Sequence, residues 1–450
     1  MVSSLLLDFY ELTMAQSYFV YKQDTRATFD LFVREMPENR SYLVACGLDD
    51  ILNYLKNFKF SREELSFLKK QKLFSDDFLS YLGKIRFKGD LWALPEGTVF
   101  FANEPLIRVT GSIIEAQLVE SYLLNTINLQ TMIASKASRV VTSAAGRGVF
   151  DFSLRRTHGA GAGIKVSRAS YLAGFSGTSN VLAGKLYNIP VAGTMAHSFV
   201  LSFKNELDSF LAYASVFPQK TILLVDTYNT KKGIENAVTI GIYLKEKGFR
   251  LHGIRLDSGD ITVLSKFARK KLDKEGLKFV KIFATGNLDE FKITELIKKG
   301  SKVDNFGVGT NMGVSIDAPC LDVVYKMSEV SDESGKFIPT MKLSKDKVTY
   351  PGRKQVFRIK DKKGKAIKDI LGLAGEKVNG RPLLKKIMQG GRVICKVGNL
   401  EEARNLARKN LSAFSAGLKE VNTPYKYPVE ISPGLKKLKN SLAAALRKRQ

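Results

Sequence analysis

The sequence predicts an α/β protein built on a (β/α) barrel, with an N-terminal α/β region before it and a C-terminal extension after it. Three observations carry this. From about residue 148, short apolar strands end in small or polar residues and lead into helical stretches, at roughly 25–30-residue spacing. Six such units follow in a row, with polar side chains collected just past the strands, as at the C-terminal rim of a barrel. After about residue 330 this rhythm stops. A doubly wound open sheet shares the local pattern, so strand order has to separate the two. The corresponding boundaries are 1–134, 135–330 and 331–450, with the last segment returning to pack on the first.

In the first segment, Thr28 to Val33 and Thr98 to Val109 read as β-rich and Leu43 to Phe58 as a helix. A stronger helix is predicted from Ile113, with Ser112 as N-cap and Glu115 three residues on, the spacing of a capping box. Apolar positions at helical spacing continue it through Leu118, Tyr122 and Leu123 to Ile133.

The barrel strands follow in order. Val149 to Leu154 leads into Arg155 and Arg156, and Ile189 to Gly193 into Thr194-Met195-Ala196-His197. Thr221 to Val225 ends at Asp226, and Leu251 to Leu256 at Asp257-Ser258-Gly259-Asp260. Phe279 to Ala284 ends at Thr285-Gly286-Asn287, and Val303 to Val308 at Gly309-Thr310-Asn311. Beyond them, Ser331 to Lys336 is a polar loop. Lys342 to Tyr350 with Lys354 to Ile359 reads as a hairpin, and Glu401 to Phe414 as an amphipathic helix.

Composition narrows the class. With 450 residues, 44% hydrophobic and 26% charged, the chain can bury a large core. No apolar run reaches the ~18–20 residues of a membrane span, and the N-terminus lacks a signal-peptide pattern. Cys46, Cys320 and Cys395 lie far apart with no CxxC pair, which excludes a cysteine zinc site and a disulfide framework. A cytoplasmic location is expected. The balance of 71 basic and 44 acidic residues gives +27. Nucleic acid is the first partner such a charge suggests. The lysines are scattered, however, on helices such as Phe267 to Lys274 and Phe291 to Lys299, without interleaved aromatics for base stacking. The densest cluster is the tail: Lys436, Lys437, Lys439, then Arg447-Lys448-Arg449. A lysine-rich surface that helps an anionic substrate arrive is the better reading.

Chemistry concentrates at the presumed rim. Of the three histidines, His252 lies inside a strand and reads as a packing residue. His158 sits in a Gly-rich loop beside two arginines, and His197 follows a strand end, where a barrel presents reactive groups. Asp226, Asp257 and Asp260 also stand at strand ends. Carboxylates there hold Mg²⁺ or ribose hydroxyls, or simply cap helices, the better role for Asp260. Arg155, Arg156 and Arg255 suit phosphate or carboxylate oxygens. Gly286 and Gly307-Val308-Gly309-Thr310 let backbone amides approach phosphate. No Walker loop is present, and Gly159-Ala160-Gly161-Ala162-Gly163 is not a Rossmann fingerprint. The set describes a site for a phosphorylated sugar plus metal.

Seven ordered blocks then carry a resemblance: Leu7-Asp8-Phe9-Tyr10-Glu11-Leu12-Thr13-Met14, Phe152-Ser153-Leu154-Arg155-Arg156, Gly174-Phe175-Ser176-Gly177-Thr178-Ser179-Asn180, Gly193-Thr194-Met195-Ala196-His197-Ser198-Phe199, Ile254-Arg255-Leu256-Asp257-Ser258-Gly259-Asp260, Thr285-Gly286-Asn287-Leu288-Asp289 and Phe306-Gly307-Val308-Gly309-Thr310. The chain resembles the nicotinate phosphoribosyltransferases, and Tyr427-Pro428-Val429 resembles the family's end more loosely. The resemblance implies the type II phosphoribosyltransferase architecture, an irregular (β/α) barrel with an N-terminal α/β domain, in a homodimer with shared active sites. It implies ATP-coupled synthesis of nicotinate mononucleotide and diphosphate from nicotinate and 5-phosphoribosyl 1-diphosphate, with Mg²⁺. His197 matches the family's phosphohistidine.

Other roles follow position by position. Tyr10 matches the tyrosine that reaches the pyridine ring from the partner subunit, and Phe152 the aromatic on the other ring face. Thr194, Arg255 and Thr310 match nicotinate- and phosphoribosyl-binding positions, with Arg155 on the same anion-binding wall. Asp226 and Asp257 match carboxylates near the ribose hydroxyls and the Mg²⁺-diphosphate, and Gly286, Gly307 and Gly309 the loops that bind the 5-phosphate. At Ser179 the related nicotinamide enzyme carries an aspartate. A serine there places no anion beside an incoming carboxylate, which favours nicotinate over nicotinamide. Quinolinate phosphoribosyltransferase shares the barrel but lacks the His197 block. Ile222 to Thr227 looks like the type I phosphoribosyltransferase loop but offers one acid where that loop wants two. Ser153 replaces the family's usual glycine, and Thr157-His158 replaces its small residue and glutamine. Both changes should leave Phe152 and Arg155 in place.

Overall fold

The structure is a computed structural model and describes residues 2–344 and 349–448. It divides into two compact units, Ile133–Pro319 on the one hand and Met1–Met132 with Cys320–Gln450 on the other.

The unit Ile133–Pro319 holds a six-stranded parallel sheet. In chain order its strands are Gly148–Asp151, Gly177–Thr178, Ile222–Leu224, Gly253–Leu256, Lys281–Ala284 and Asn305–Val308. Each of the last four pairs with its neighbour in sequence, and Asn305–Val308 then pairs back to Gly148–Asp151, which pairs with Gly177–Thr178. First pairing with last is the order of a ring, not of a doubly wound sheet with a switch point. The ring stays open on one side. The segment expected as a strand over Ile189 to Gly193 contributes a single bridge, Val191 to Thr178, and leads to Ile222–Leu224 without further pairing. The barrel is therefore irregular and incomplete. Its strands read as near-continuous apolar runs because both faces are covered: Val149, Leu223, Ile254, Ile282 and Phe306 are all buried.

Helix starts in this unit follow the sequence closely. Asp260, Asp289 and Asn229 each accept a hydrogen bond from the backbone amide three residues on, opening Ile261–Lys274, Glu290–Lys298 and Thr230–Glu246. Lys266, Lys270, Lys274, Lys292, Lys298 and Lys299 point outward from the first two, so the basic residues there are a solvated face. His252 is not a packing residue. The strand begins one residue later at Gly253, and His252 is exposed, held by its amide to Thr221 and its carbonyl to Lys281.

The other unit is built on a seven-stranded sheet in which three strands of the early chain are flanked on each side by two strands of the late chain. Arg26–Val33 pairs antiparallel with Pro105–Ser112 on one side and with Val323–Ser331 on the other, and Lys385–Gln389 pairs with Asp90–Ala93. Val323–Ser331, placed with the barrel by the sequence boundary at 330, thus belongs to this sheet. Phe29 and Tyr325 stack across it, 4.7 Å apart and 3° from parallel.

Three expectations here are corrected. Leu43 to Phe58 is not one helix: Leu43–Val44 pairs with Val99–Phe100, and the helix Leu48–Lys56 starts only after Gly47, whose φ of +115° breaks the run. Ser112 and Glu115 form no capping box. Glu115 instead accepts the Lys88 amide at 2.7 Å, and the first helical stretch stops at Gln117 before resuming as Glu120–Ser143. The hairpin partner of Lys354–Lys360 is Ala366–Leu373, not Lys342 to Tyr350. Of that latter stretch, 345–348 lie outside the described residues, as does Arg449 of the basic tail. The helix expected over Glu401 to Phe414 is present as Leu400–Ser412, with a true capping box between Asn399 and Glu402. Among the described residues no helix is long and apolar enough to cross a membrane.

Candidate active site

The parallel strands of the barrel deliver their C-terminal ends to one rim, and the residues singled out from the sequence arrive there in sequence order. Phe152 and Arg155 follow the first strand, Ser179 the second, and Thr194 and His197 the Val191 bridge. Asp226 follows the third strand, Arg255 and Asp257 belong to the end of the fourth, Gly286 follows the fifth, and Gly307, Gly309 and Thr310 close the sixth. Tyr10 lies in the other unit, on the helix Phe9–Tyr21. The residue is 45% exposed. Burial and the nearby Glu120 and Glu11 push the phenol well above its ordinary value.

His197 opens a short helix, His197–Leu201, and is half-buried. Its Nδ1 lies 3.2 Å from Thr227 Oγ1, while Nε2 faces Asp257 Oδ2 at 4.0 Å. One ring nitrogen is thus held by a hydroxyl, and the other stands near a carboxylate without being tied to it. Asp257 is oriented from behind, since its Oδ1 accepts from Thr285 Oγ1.

Asp226 is a buried carboxylate with one oxygen spent and one free. Its Oδ2 accepts the Asp257 amide at 3.1 Å and the Ser258 hydroxyl at 2.5 Å, whereas Oδ1 is buried with no hydrogen-bond partner. Capping explains neither Asp226 nor Asp257, because Asn229 and Asp260 cap the helices that follow. Arg255 projects into the same region with its Nε unpartnered. Burial draws the guanidinium below its ordinary value, while Asp257 and Asp226 act to keep the charge. A half-buried arginine and a buried carboxylate, each with an unused buried polar atom, form a set that a charged ligand would complete. No group of three or more His, Cys, Asp or Glu side chains poised to hold a metal occurs among the described residues.

Glycines shape the rest. A Cβ on Gly307 would stand 2.7 Å from the Phe152 ring and 2.6 Å from the Thr285 methyl, so the ring lies directly on the Gly307 backbone. Gly286 has φ +94°, and a Cβ there would overlap the Asp257 carbonyl. Arg155, Arg156 and His158 are exposed around the turn Leu154–Arg156. Ser153, the departure from glycine, has φ −90°, which any residue adopts, and its side chain fits against Gly313.

Four residues that sequence reasoning passed over shape this site: Thr227, Ser258, Thr285 and Asp151. The first three are small hydroxyl residues next to or within quoted motifs, where spacing gives no sign of partner. Asp151 did leave a signal, an acid among the apolar residues Val149, Phe150, Phe152 and Leu154.

With this geometry in place, the comparisons with known proteins agree along most of the chain. Residues 5–128 match the nicotinate phosphoribosyltransferase N-terminal domain, 148–368 the nicotinate phosphoribosyltransferase family model, and 377–439 the C-terminal domain of the same family. The chain is 47% identical over 433 residues to nicotinate phosphoribosyltransferase pncB2 of Mycobacterium tuberculosis, covering 96% of this chain and 92% of that one. It is 37% identical over 459 residues to the nicotinate phosphoribosyltransferase of Bacillus subtilis, covering 95% and 93%. Its fold is similar to that of human nicotinic acid phosphoribosyltransferase, with TM-score 0.86, 30% identity and coverage of 97% and 99%. A nicotinate-nucleotide pyrophosphorylase from Pyrococcus furiosus is similar at TM-score 0.73, with 25% identity and coverage of 91% and 95%.

Proposed function

The chain belongs to the nicotinate phosphoribosyltransferase family, and from that premise we propose that it joins nicotinate to 5-phosphoribosyl 1-diphosphate in NAD salvage, releasing nicotinate mononucleotide and diphosphate. The observation that carries the reading is the rim itself. Asp226, Arg255 and Asp257 come from two neighbouring strand ends and His197 from the segment after the Val191 bridge, linked by the Asp257 amide on Asp226 and the approach of His197 to Asp257.

The pyridine nitrogen is already nucleophilic, so the site has no need of a strong base. Breaking the C1–diphosphate bond develops oxocarbenium character, and positioning carries most of the catalysis. Phe152 offers a ring face to the pyridine. Arg255 and Arg155 meet anionic groups, and the backbone at Gly286, Gly307, Gly309 and Thr310 takes the 5-phosphate. Asp226 and Asp257 would hold Mg²⁺ together with the diphosphate, and the unpartnered Asp226 Oδ1 fits that task. When bound, the ion neutralises the charge on the departing diphosphate.

ATP enters as co-substrate. A phosphoryl group passes from ATP to an imidazole nitrogen of His197, ADP leaves, and water later takes the phosphoryl off as phosphate. While in place it brings about −1.5 to −2 charges and three acceptor oxygens into the site, which orders it for substrates. Tyr10 completes the neighbouring subunit's site in a homodimer, and the reaction runs in the cytoplasm.

The test is product formation from nicotinate, phosphoribosyl diphosphate and Mg²⁺, with and without ATP, beside nicotinamide. Nicotinate mononucleotide formed faster with ATP, with nicotinamide inert, supports the reading. Turnover of nicotinamide alone would overturn the substrate, and no turnover of either would overturn the reaction.

A further inference from the structure

Asp151 has no place in the mechanism so far, yet it is a fully buried carboxylate with four side-chain hydrogen bonds. Its Oδ1 accepts the Ser153 amide at 2.9 Å and the Ser153 hydroxyl at 2.5 Å. Its Oδ2 accepts the hydroxyls of Ser167 at 2.7 Å and Thr178 at 2.8 Å. Four donors fill the roughly four lone-pair positions a carboxylate offers. An uncompensated buried acid is costly, so each donor lost weakens the arrangement.

The partners lie on three separate segments. Ser153 belongs to the turn after the first strand, where it follows Phe152. Ser167 lies in the helix Ala160–Leu172, and Thr178 ends the second strand just before Ser179. The Asp151 main chain adds a tie, its carbonyl accepting the Ser179 amide at 2.9 Å. Thr178 passes the constraint on, because its carbonyl accepts the Ala192 amide at 2.9 Å, two residues before Thr194. Phe152 and Ser179, assigned above to nicotinate recognition, and Thr194, at a substrate-binding position, therefore all take a constraint from one residue. On the phosphoribosyl side, Gly286 and Asp226 do not. Gly286 is set by Asp257, and Asp226 by Ser258 and the Asp257 amide.

We propose that Asp151 is the positioning residue of the pyridine slot, fixing the spacing between the Phe152 ring and the Ser179 turn through its bonds to Ser153 and Thr178. Phe152 is pinned from the far side by its own amide on the Val308 carbonyl at 2.9 Å and by the Gly307 backbone under its ring. Asp151 supplies the remaining constraint. Ser153 strengthens it: a glycine would leave the amide bond and remove the hydroxyl donor. This inference rests on the nicotinate reading above and adds the residue that shapes its slot.

The test is steady-state kinetics of Asp151→Asn and Ser153→Ala, each substrate varied in turn, with a thermal melt of each protein. Asparagine keeps the shape but presents one acceptor oxygen and one donor nitrogen to four donors, so the nicotinate KM should rise about tenfold. The phosphoribosyl diphosphate KM and the kcat at saturation should stay within about threefold. Ser153→Ala, which removes one donor of four, should raise the nicotinate KM by about threefold. A merely structural role would lower the melting temperature and move both Michaelis constants together, or lower kcat alone. Either pattern overturns the proposal, as does an unchanged nicotinate KM in a folded Asp151→Asn protein. Should Asp151→Asn fail to fold, Ser153→Ala decides by the same split. Wild-type protein that fails to turn over nicotinate would instead sink the function assigned above, and the two failures are distinguishable.

Discussion

Gly286 lies against the Asp257 peptide so closely that a single methyl on it would overlap the Asp257 carbonyl, at a φ of +94° that L-residues rarely adopt. The two residues end neighbouring strands, paired in register from Lys281 with Gly253 to Ala284 with Leu256. The rim depends on this approach because Asp257 faces His197 from the same turn that Gly286 supports.

Gly286→Ala should therefore strike both stability and substrate binding. Strain and overlap with backbone, which cannot rotate away, should cost about 2 kcal/mol or more. Chemical denaturation reads that loss, and a raised KM for phosphoribosyl diphosphate with a smaller change for nicotinate reads the site. A variant with wild-type stability would show that the turn relaxes freely.

His197→Ala removes the group proposed to carry the phosphoryl. Nicotinate mononucleotide should still form slowly, and stimulation by ATP should vanish along with phosphate release coupled to turnover. Full ATP coupling in this variant would end the phosphohistidine assignment.

Ser179→Asp tests the choice between acid and amide. The Ser179 amide is tied to the Asp151 carbonyl, so the backbone should hold while the side chain turns anionic. A second carboxylate beside nicotinate should lower kcat/KM for it about 100-fold, with a smaller effect on nicotinamide. Equal losses for the two would place Ser179 away from the carboxyl group.

Glu11 gives the other unit a pH dependence. Its side chain is fully buried: one oxygen accepts the Ser121 amide and hydroxyl, and the other is unpartnered. Burial is the main cause that pushes its carboxyl from 4.5 up to about 7, with the Ser121 bonds opposing it. The folded protein thus holds a proton that the unfolded chain has lost between those values. Its contribution is full below about pH 4.5 and declines as pH rises through about 7, by about 3 kcal/mol. Glu11→Gln, which stays neutral, should lose this part of the slope and gain relative to wild type at pH 8. Melting curves from pH 5 to 8 on both proteins measure the difference, and parallel curves would refute it.

Much of the barrel was legible because a parallel strand buried on both faces must be apolar, and the residue that ends it must turn polar at the rim. Leu256 followed by Asp257, and Val225 by Asp226, announce that change in two letters. The same logic failed over Ile189 to Gly193, which is apolar but finds only one bridge partner. It failed at His252 as well, because an apolar neighbourhood in sequence does not tell which residue the sheet first covers. Capping followed suit. Asp260 was readable from the helix behind it, whereas Ser112 with Glu115 had the right spacing and lost Glu115 to the Lys88 amide, a partner 27 residues away.

By itself the sequence determined the order of the barrel units, the polar rim and the residues gathered on it, because these are written in local periodicity and in residue types at strand ends. Tertiary structure alone decided that the ring closes from last strand to first and stays open beside the Val191 bridge. It also decided that Val323–Ser331 leaves the barrel for the sheet of Arg26–Val33, and that Asp151 gathers Ser153, Ser167 and Thr178. The physical reason is common to all three. Strand pairing and buried hydrogen bonds are settled by which distant backbone or donor arrives, and local pattern carries no record of that arrival.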